Sequence, residues 1–241
     1  MKGLKHMISI VVPAYNEENR ITKTLQAIEA VMLASGETFE ILAVNDGSCD
    51  KTADVIRSRE NEHIRLLTYE KNRGKGGAVK YGVEHAEGDY IVFTDADLPY
   101  PPENIPKACA MLAEGYDAVL GKRVQKENGQ KYPWYRTVMS KSFNLLVQSV
   151  LHIHEKDTQC GFKAFRKAAA KEIFKRITLT GWGFDVEMIF IAEKRGCKIG
   201  RIPVELFHEN SESKINVVQD TLKMIGEVFT VRRNNKNGMY Q

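Results

Sequence analysis

Tyr90-Ile-Val-Phe-Thr-Asp-Ala-Asp97 is a short apolar run that ends in two acids, and the rest of the chain is organised around it. Ile91–Phe93 has the composition of a central strand in a parallel sheet, which is buried on both faces. Because side chains alternate along a strand, Asp95 and Asp97 point to the same side just beyond its carboxyl end. Two such carboxylates repel each other unless a cation is present. We therefore predict a hard divalent cation here, holding the diphosphate of a substrate.

Strands and helices alternate on both sides of this stretch. Apolar runs predict earlier strands at Met7–Val12, Phe39–Val44 and Ile64–Tyr69, with a helix after each, the third at Ala78–Ala86. Later strands are predicted at Asp117–Gly121, Lys163–Phe165 and Lys198–Val204, and later helices at Tyr135–Ile153, Ala168–Phe174, Phe184–Lys194 and Ile215–Val231. This alternation predicts an α/β fold with a mostly parallel, doubly wound sheet flanked by helices.

Composition sets the broad class of the protein. The chain has 241 residues, of which 43% are hydrophobic and 27% charged, as in ordinary soluble globular proteins. A net charge of +4 is too small to indicate nucleic-acid binding, but it suits an anionic substrate or membrane surface. The four cysteines lack CxxC spacing, which predicts reduced thiols in a cytoplasmic protein. With no signal peptide or spanning segment recognisable, any work at a membrane is predicted to occur from its surface.

Polar signatures follow four of the predicted strands: Pro13–Glu17, Asn45–Ser48, Asn72–Gly77 and Asp95–Asp97. In a doubly wound sheet these strand ends lie along one edge, where ligands bind. Taken alone, Asp46-Gly47-Ser48 is equally well a simple turn. Asn72–Gly77 is either only a loop or a glycine-rich approach to a phosphate, with Lys75 supplying charge, but it lacks the Walker spacing.

These motifs resemble a known family. The matching segments are Val11–Glu18, Val44–Ser48, Gly74–Ala78, Phe93–Asp97, Asp157–Lys163, Gly183–Glu187 and Ser213-Lys214. Together they resemble family 2 glycosyltransferases of the GT-A fold, in the polyprenyl-phosphate branch that includes dolichyl-phosphate β-glucosyltransferases and mannose synthases. The resemblance covers residues 7–235. It implies a single GT-A domain over 1–241, with a nucleotide-sugar half (7–123), an acceptor half (124–214) and a C-terminal amphipathic helix and tail (215–241).

The resemblance also implies a role for individual residues. Those implied at the nucleotide-sugar site are Pro13, Ala14, Tyr15, Glu17, Asp46, Lys75, Asp95, Asp97 and Lys214. Asp97 would be the firmest ligand of Mg²⁺ or Mn²⁺, and Asp95 would contact the ribose or the metal. The implied catalytic residues are Arg123, Asp157 and Asp185, the last at the place of a catalytic carboxylate. Those implied to bind the acceptor are Arg136, Lys141 and Gln159. Leu98 stands where related mannose synthases carry a polar glutamine.

The implied activity is that of an inverting, metal-dependent hexosyltransferase (EC 2.4.1-type). It would move glucose from UDP-glucose, with GDP-mannose as the other candidate donor, to a polyprenyl or dolichyl phosphate at the inner face of the cell membrane. A phosphate acceptor is largely deprotonated at neutral pH and needs no strong base, whereas a hydroxyl acceptor would need Asp157 or Asp185, with Asp185 slightly favoured. The apolar faces of Tyr135–Ile153 and Ile215–Val231 are either core or an interfacial contact with lipid.

Three other functions are compatible with parts of the pattern. The nearest is a family 2 glycosyltransferase with a saccharide or other soluble acceptor. A non-catalytic module that binds nucleotide-sugars would keep the same donor motifs. A phosphatase of the HAD type also has two acids after an apolar strand, but there the strand is the first one, and the position held here by Pro99 is Thr or Val.

Overall fold

One mixed sheet runs through the molecule in the order β3-β2-β1-β4-β6-β5-β7. The computed structural model describes the backbone of residues 6–124, 134–181, 183–205 and 217–241, and the side chains of these residues except 134–141 and 217–222. Within those ranges the strands are β1 (Ile8–Ala14), β2 (Phe39–Asp46), β3 (Ile64–Tyr69), β4 (Tyr90–Phe93), β5 (Ala118–Val124), β6 (Lys163–Arg166) and β7 (Ile199–Glu205).

The first four strands are parallel and form one half of the sheet, with β3 at its edge and β2, β1 and β4 inside. β1 pairs with β2 on one side and β4 on the other, and Ile91, Val92 and Phe93 are fully buried. β6 is antiparallel to both of its neighbours, β4 and β5, and β5 pairs in parallel with β7. The prediction of a mostly parallel, doubly wound α/β fold is therefore confirmed, and the carboxyl ends of β1, β2, β4 and β5 share one edge.

Eight helices cover the two faces of the sheet in the described part of the chain. They are α1 (Ile21–Ser35), α2 (Thr52–Arg57), α3 (Gly74–His85), α4 (Asn104–Ala113), α5 (Trp134–Leu151), α6 (Lys167–Arg176), α7 (Phe184–Lys194) and α8 (Val217–Lys236). One core contains the buried residues of α1 and α4, and the other those of α3, α6 and α7. Phe93, Phe165, Phe174 and Phe184 pack together in the second core, with ring centroids 6.1–6.4 Å apart.

Two of these helix boundaries differ from the sequence predictions by about one turn, whereas the others shift by at most two residues. α3 begins at Gly74, so Gly74–Gly77 is the first turn of a helix and not the predicted loop. The glycines are needed for packing, since a Cβ on Gly76 would lie 2.6 Å from the Cβ of Phe184. α8 continues to Lys236 instead of ending at Val231. Its last turns are held by a tertiary contact that periodicity does not reveal, because Asn234 donates to the hydroxyl of Thr178 at 3.0 Å.

Two further predictions concern the cysteines and the membrane. All four cysteines are free, as predicted.

Among the described residues, none of the helices combines the length and apolarity that a membrane crossing requires. α5 and α8 pack against each other. Val147 and Val228 are buried between elements of the core, whereas Leu145 and Phe229 are 66% and 48% exposed.

Candidate active site

A lysine and a carboxylate meet where β4 ends. The Nζ of Lys75, in the first turn of α3, lies 2.5 Å from Oδ1 of Asp95. Burial disfavours the charged ammonium, but the carboxylates of Asp95 and Asp185 outweigh that effect and raise the pKa of Lys75. Lys75 therefore stays protonated, and two of the residues predicted for the donor site, from different segments of the chain, lie in contact at this edge of the sheet.

Asp97 is the second acid at this edge, two residues beyond Asp95. Partial burial, and then the neighbouring Asp95 carboxylate, raise the pKa of Asp97. No group of three or more potential ligands occurs among the described residues, so a cation here would take its other ligands from a diphosphate and water. Mg²⁺ is bound in that way, with one or two carboxylates. The two acids therefore fit a divalent cation, and Asp97 as its firmer ligand stays a prediction.

Gly161 packs against the Asp95 carboxylate, a role that the sequence pattern does not indicate. A Cβ at this position would lie 1.9 Å from Oδ2 of Asp95, so only glycine leaves room for that carboxylate. The signal was present in the sequence, since Gly161 lies within the segment Asp157–Lys163. Nothing in the local pattern, however, indicates that this turn packs against the end of β4.

The carboxylate of Asp46, at the end of β2, is held by hydrogen bonds from other residues of the protein. Its Oδ1 accepts hydrogen bonds from the Tyr69 hydroxyl at 2.8 Å and the Arg73 amide at 2.7 Å, and its Oδ2 accepts one from Asn72 at 3.0 Å. Burial raises the pKa of Asp46 against the effect of these donors. The next residue, Gly47, has φ +63°, so the chain bends directly after Asp46. A contact between Asp46 and the base stays a prediction.

The end of β1 presents one exposed aromatic ring. Pro13 and Ala14 are buried within the strand, whereas Tyr15 is 46% exposed. Glu17 lies 3.2 Å from the Nε of Arg20 and its amide donates to Thr52. Of the residues predicted to line the base pocket, Tyr15 is thus the one with a free surface on which a base can stack.

Arg123 and Asp157 form a two-pronged ion pair at the end of β5. The Nη2 and Nε of Arg123 lie 2.7 Å and 3.0 Å from Oδ1 and Oδ2 of Asp157, and the Arg123 amide donates to the same carboxylate. Such paired hydrogen bonds fix a guanidinium plane. The pair is partly exposed, so Arg123 is held in place while remaining accessible to an anion.

The remaining predicted residues lie in three different situations. Gln159 reaches α8, where its Nε2 is 3.6 Å from the sulfur of Met224. Arg136 and Lys141 are on α5, but their side chains lie outside the described residues, as does Lys214 as a whole. Asp185, in the first turn of α7, is buried, and its Oδ1 is 2.5 Å from Nζ of Lys163. Asp185 is therefore already paired with a cation.

Comparison with known proteins identifies the family. Residues 9–174 match the family model described as glycosyl transferase family 2. The chain belongs to glycosyltransferase family 2. This glycosyltransferase is similar to dolichyl-phosphate β-glucosyltransferases of Dictyostelium discoideum and Saccharomyces cerevisiae, each 32% identical. The alignments cover 93% of this chain and 73% of the first relative, and 97% and 76% for the second.

A solved structure supports the same fold for this glycosyltransferase. Glucosyl-3-phosphoglycerate synthase from Mycobacterium tuberculosis, in complex with Mn²⁺, uridine-diphosphate and phosphoglyceric acid, superposes with a TM-score of 0.70. The match has 19% identity and covers 94% of this chain and 78% of that one. The resemblance stated from the sequence is thus confirmed at the level of family and GT-A fold.

Proposed function

We propose that this glycosyltransferase transfers glucose from UDP-glucose to a polyprenyl or dolichyl phosphate, with inversion at the anomeric carbon. The relatives named dolichyl-phosphate β-glucosyltransferase support the sugar and the acceptor. The observation that carries the proposal is that both candidate bases are already paired with cations, Asp157 with Arg123 and Asp185 with Lys163. A hydroxyl acceptor needs an available base, whereas a phosphate acceptor is largely deprotonated at neutral pH.

On the donor side, we assign Asp97 and Asp95 to a Mg²⁺ or Mn²⁺ ion on the donor diphosphate. When bound, the cation neutralises charge on the leaving diphosphate as the glycosidic bond breaks. Lys75, held at 2.5 Å from Asp95, adds positive charge beside the same group. Tyr15, whose ring is 46% exposed, is proposed to stack on the nucleotide base, and Lys214 is proposed to approach the diphosphate.

On the acceptor side, we assign Arg123 to the incoming phosphate. Asp157 fixes the guanidinium, so the acceptor oxygen is oriented by a charge that is already in place and needs little reorganisation. Arg136, Lys141 and Gln159 are proposed to complete this side. The acceptor oxygen then attacks from the face opposite the leaving diphosphate, and no step requires a proton to be removed by the protein.

For the lipid, we propose that α5 and α8 lie against the inner face of the cell membrane. Leu145 and Phe229 expose large apolar side chains on these two packed helices. Arg232, Arg233 and Lys236 belong to the same helix as Phe229. Basic residues beside exposed apolar ones favour a surface with anionic lipid phosphates.

The test uses radiolabelled UDP-glucose and GDP-mannose, each offered with a polyprenyl phosphate in the presence and absence of Mn²⁺. We expect label from UDP-glucose in the organic phase, only when the cation is present. Asp97→Ala should abolish transfer. Label that enters only water-soluble saccharides would contradict the lipid acceptor in favour of a soluble one, and donor binding without any transfer would indicate a binding module.

A further inference from the structure

Lys163 is a fully buried lysine at the start of β6. Lysine is almost never fully buried unless it is paired. Its Nζ lies 2.5 Å from Oδ1 of Asp185 and 2.6 Å from the carbonyl oxygen of Cys160, and 5.4 Å from the centre of the Phe93 ring. The ammonium therefore has a charged, a polar and an aromatic neighbour, all supplied by different parts of the fold.

Those neighbours connect both halves of the site. Lys163 is the β6 residue opposite Phe93, two positions before Asp95. The carbonyl that it binds precedes Gly161, the residue that packs against the Asp95 carboxylate. The same turn begins at Asp157, the partner of Arg123. One ammonium thus joins the metal-site strand, the acceptor turn and the first turn of α7.

The charges explain why a cation is needed at this point. The negative charges of Asp95 and Asp185 both raise the pKa of Lys75, and Asp95 is in direct contact with it at 2.5 Å. Without a second cation, the buried Asp185 carboxylate would compete with Asp95 for Lys75. Buried carboxylates without a partner are strongly unfavourable, so this competition would draw Lys75 away from the donor site.

We propose that Lys163 is a positioning residue of the donor site. It neutralises Asp185, so that Lys75 remains with Asp95, and it fixes the turn that packs on Asp95. Asp185 then serves as a counter-ion of Lys163 and not as a general base. The inference rests on the proposed function for the identity of the substrates, but the charge pairing itself concerns only the chain's own residues.

The experiment is a double-variant cycle with Lys163→Met, Asp185→Asn and the two combined. Two quantities are measured for each folded protein: the affinity for UDP with Mn²⁺ by calorimetry, and kcat and KM for transfer. Each single variant leaves one buried group without its partner, which is strongly destabilising, so we expect a lower Tm. We also expect at least about tenfold weaker UDP–Mn²⁺ binding, because the unpaired group shifts the residues that hold Lys75 and Asp95 in place. The combined variant removes both charges, so Asp185 no longer competes for Lys75. It should recover most of the Tm and bind at least about threefold more tightly than Lys163→Met, with the missing Lys163–Cys160 contact keeping it below the wild type.

Glu40→Gln is the matched control. It also removes a mostly buried carboxylate that is paired with a cation, Arg65 at 3.3 Å, but at the opposite end of the sheet. We expect it to lower the Tm without weakening UDP–Mn²⁺ binding. A role of Lys163 in stability alone would make Lys163→Met behave in the same way, which would overturn the proposal.

Transfer activity separates a counter-ion from a base. If Asp185 is a counter-ion, the combined variant transfers sugar faster than Asp185→Asn alone. If it is a base, the two are equally inactive although both bind UDP, and the proposal fails. Should Lys163→Met not fold, this comparison decides alone. A wild type that binds UDP–Mn²⁺ but glucosylates no lipid phosphate would refute the proposed function, while the binding cycle would still test Lys163.

Discussion

Replacing Gly161 with alanine should disable the donor site through one added methyl group. That Cβ would lie 1.9 Å from Oδ2 of Asp95, and the carboxylate has to retreat by about 1 Å to reach even a 3.0 Å contact. Overpacking of this kind costs about 1–3 kcal/mol, which for a chain of this size lowers the Tm by roughly 2–12 °C. The same retreat pulls Asp95 from Lys75, now 2.5 Å away.

The functional loss should exceed the loss of stability. A misplacement of about 1 Å at a reacting site costs up to about 100-fold in rate. We expect Gly161→Ala to bind UDP–Mn²⁺ at least tenfold more weakly in calorimetry at a temperature where it is fully folded. Gly226→Ala makes the same chemical change in α8 with nothing within 4 Å, and it should leave binding intact. A folded Gly161→Ala protein with wild-type affinity would refute the reasoning.

Three other predictions test separate parts of the molecule. Because burial and Asp95 raise the pKa of Asp97 above its ordinary 3.8, its ionised form destabilises the metal-free fold. Asp97→Asn should therefore raise the Tm of the metal-free protein at neutral pH, as measured by thermal scans. The gain in Tm should disappear as the pH falls below 3.8, where the carboxyl is protonated in both the folded and the unfolded protein. An unchanged or lower Tm at neutral pH would contradict this. Tyr240→Phe removes the hydroxyl that donates to the buried Glu187 at 2.5 Å. We expect the Tm to fall by roughly 3–12 °C. An unchanged Tm would mean that this hydrogen bond contributes nothing to stability. Phe229→Glu should weaken binding to vesicles containing polyprenyl phosphate without changing the Tm. The control is Leu33→Glu on α1, where the leucine is also exposed, and this variant should bind vesicles as the wild type does. An equal loss of vesicle binding in both variants would argue against α8 as the lipid contact.

The sequence predicts well those features that depend on local pattern. The buried strand Tyr90–Phe93 and the two acids after it were placed correctly because composition and the strand period specify them. The convergence of the β1, β2, β3 and β4 ends also follows from alternation and right-handed crossovers. Motif resemblance then gave the family, which the comparisons confirm.

Features that depend on contacts distant in the sequence were missed. The intrinsic preference of glycine predicted a loop at Asn72–Gly77, but packing against Phe184 makes Gly74–Gly77 a helical turn. The antiparallel direction of β6, the Lys163–Asp185 pair and the role of Gly161 all depend on how residues 157–185 fold back onto β4. No periodicity in a single sequence encodes such a contact, and it becomes visible only in three dimensions.

The antiparallel insertion of β6 also has a consequence for how the protein is made. β3, β2, β1 and β4 are complete once residue 93 has been synthesised, but the described strand that pairs with the outer edge of β4 is Lys163–Arg166, made later. A ribosome adding about 5–20 residues per second needs roughly 3.5–14 s for the intervening stretch. During that interval the nascent chain presents an apolar strand with open hydrogen-bonding groups, the kind of edge that recruits other chains. Ribosome-associated chaperones should therefore engage this glycosyltransferase between the emergence of β4 and that of β6.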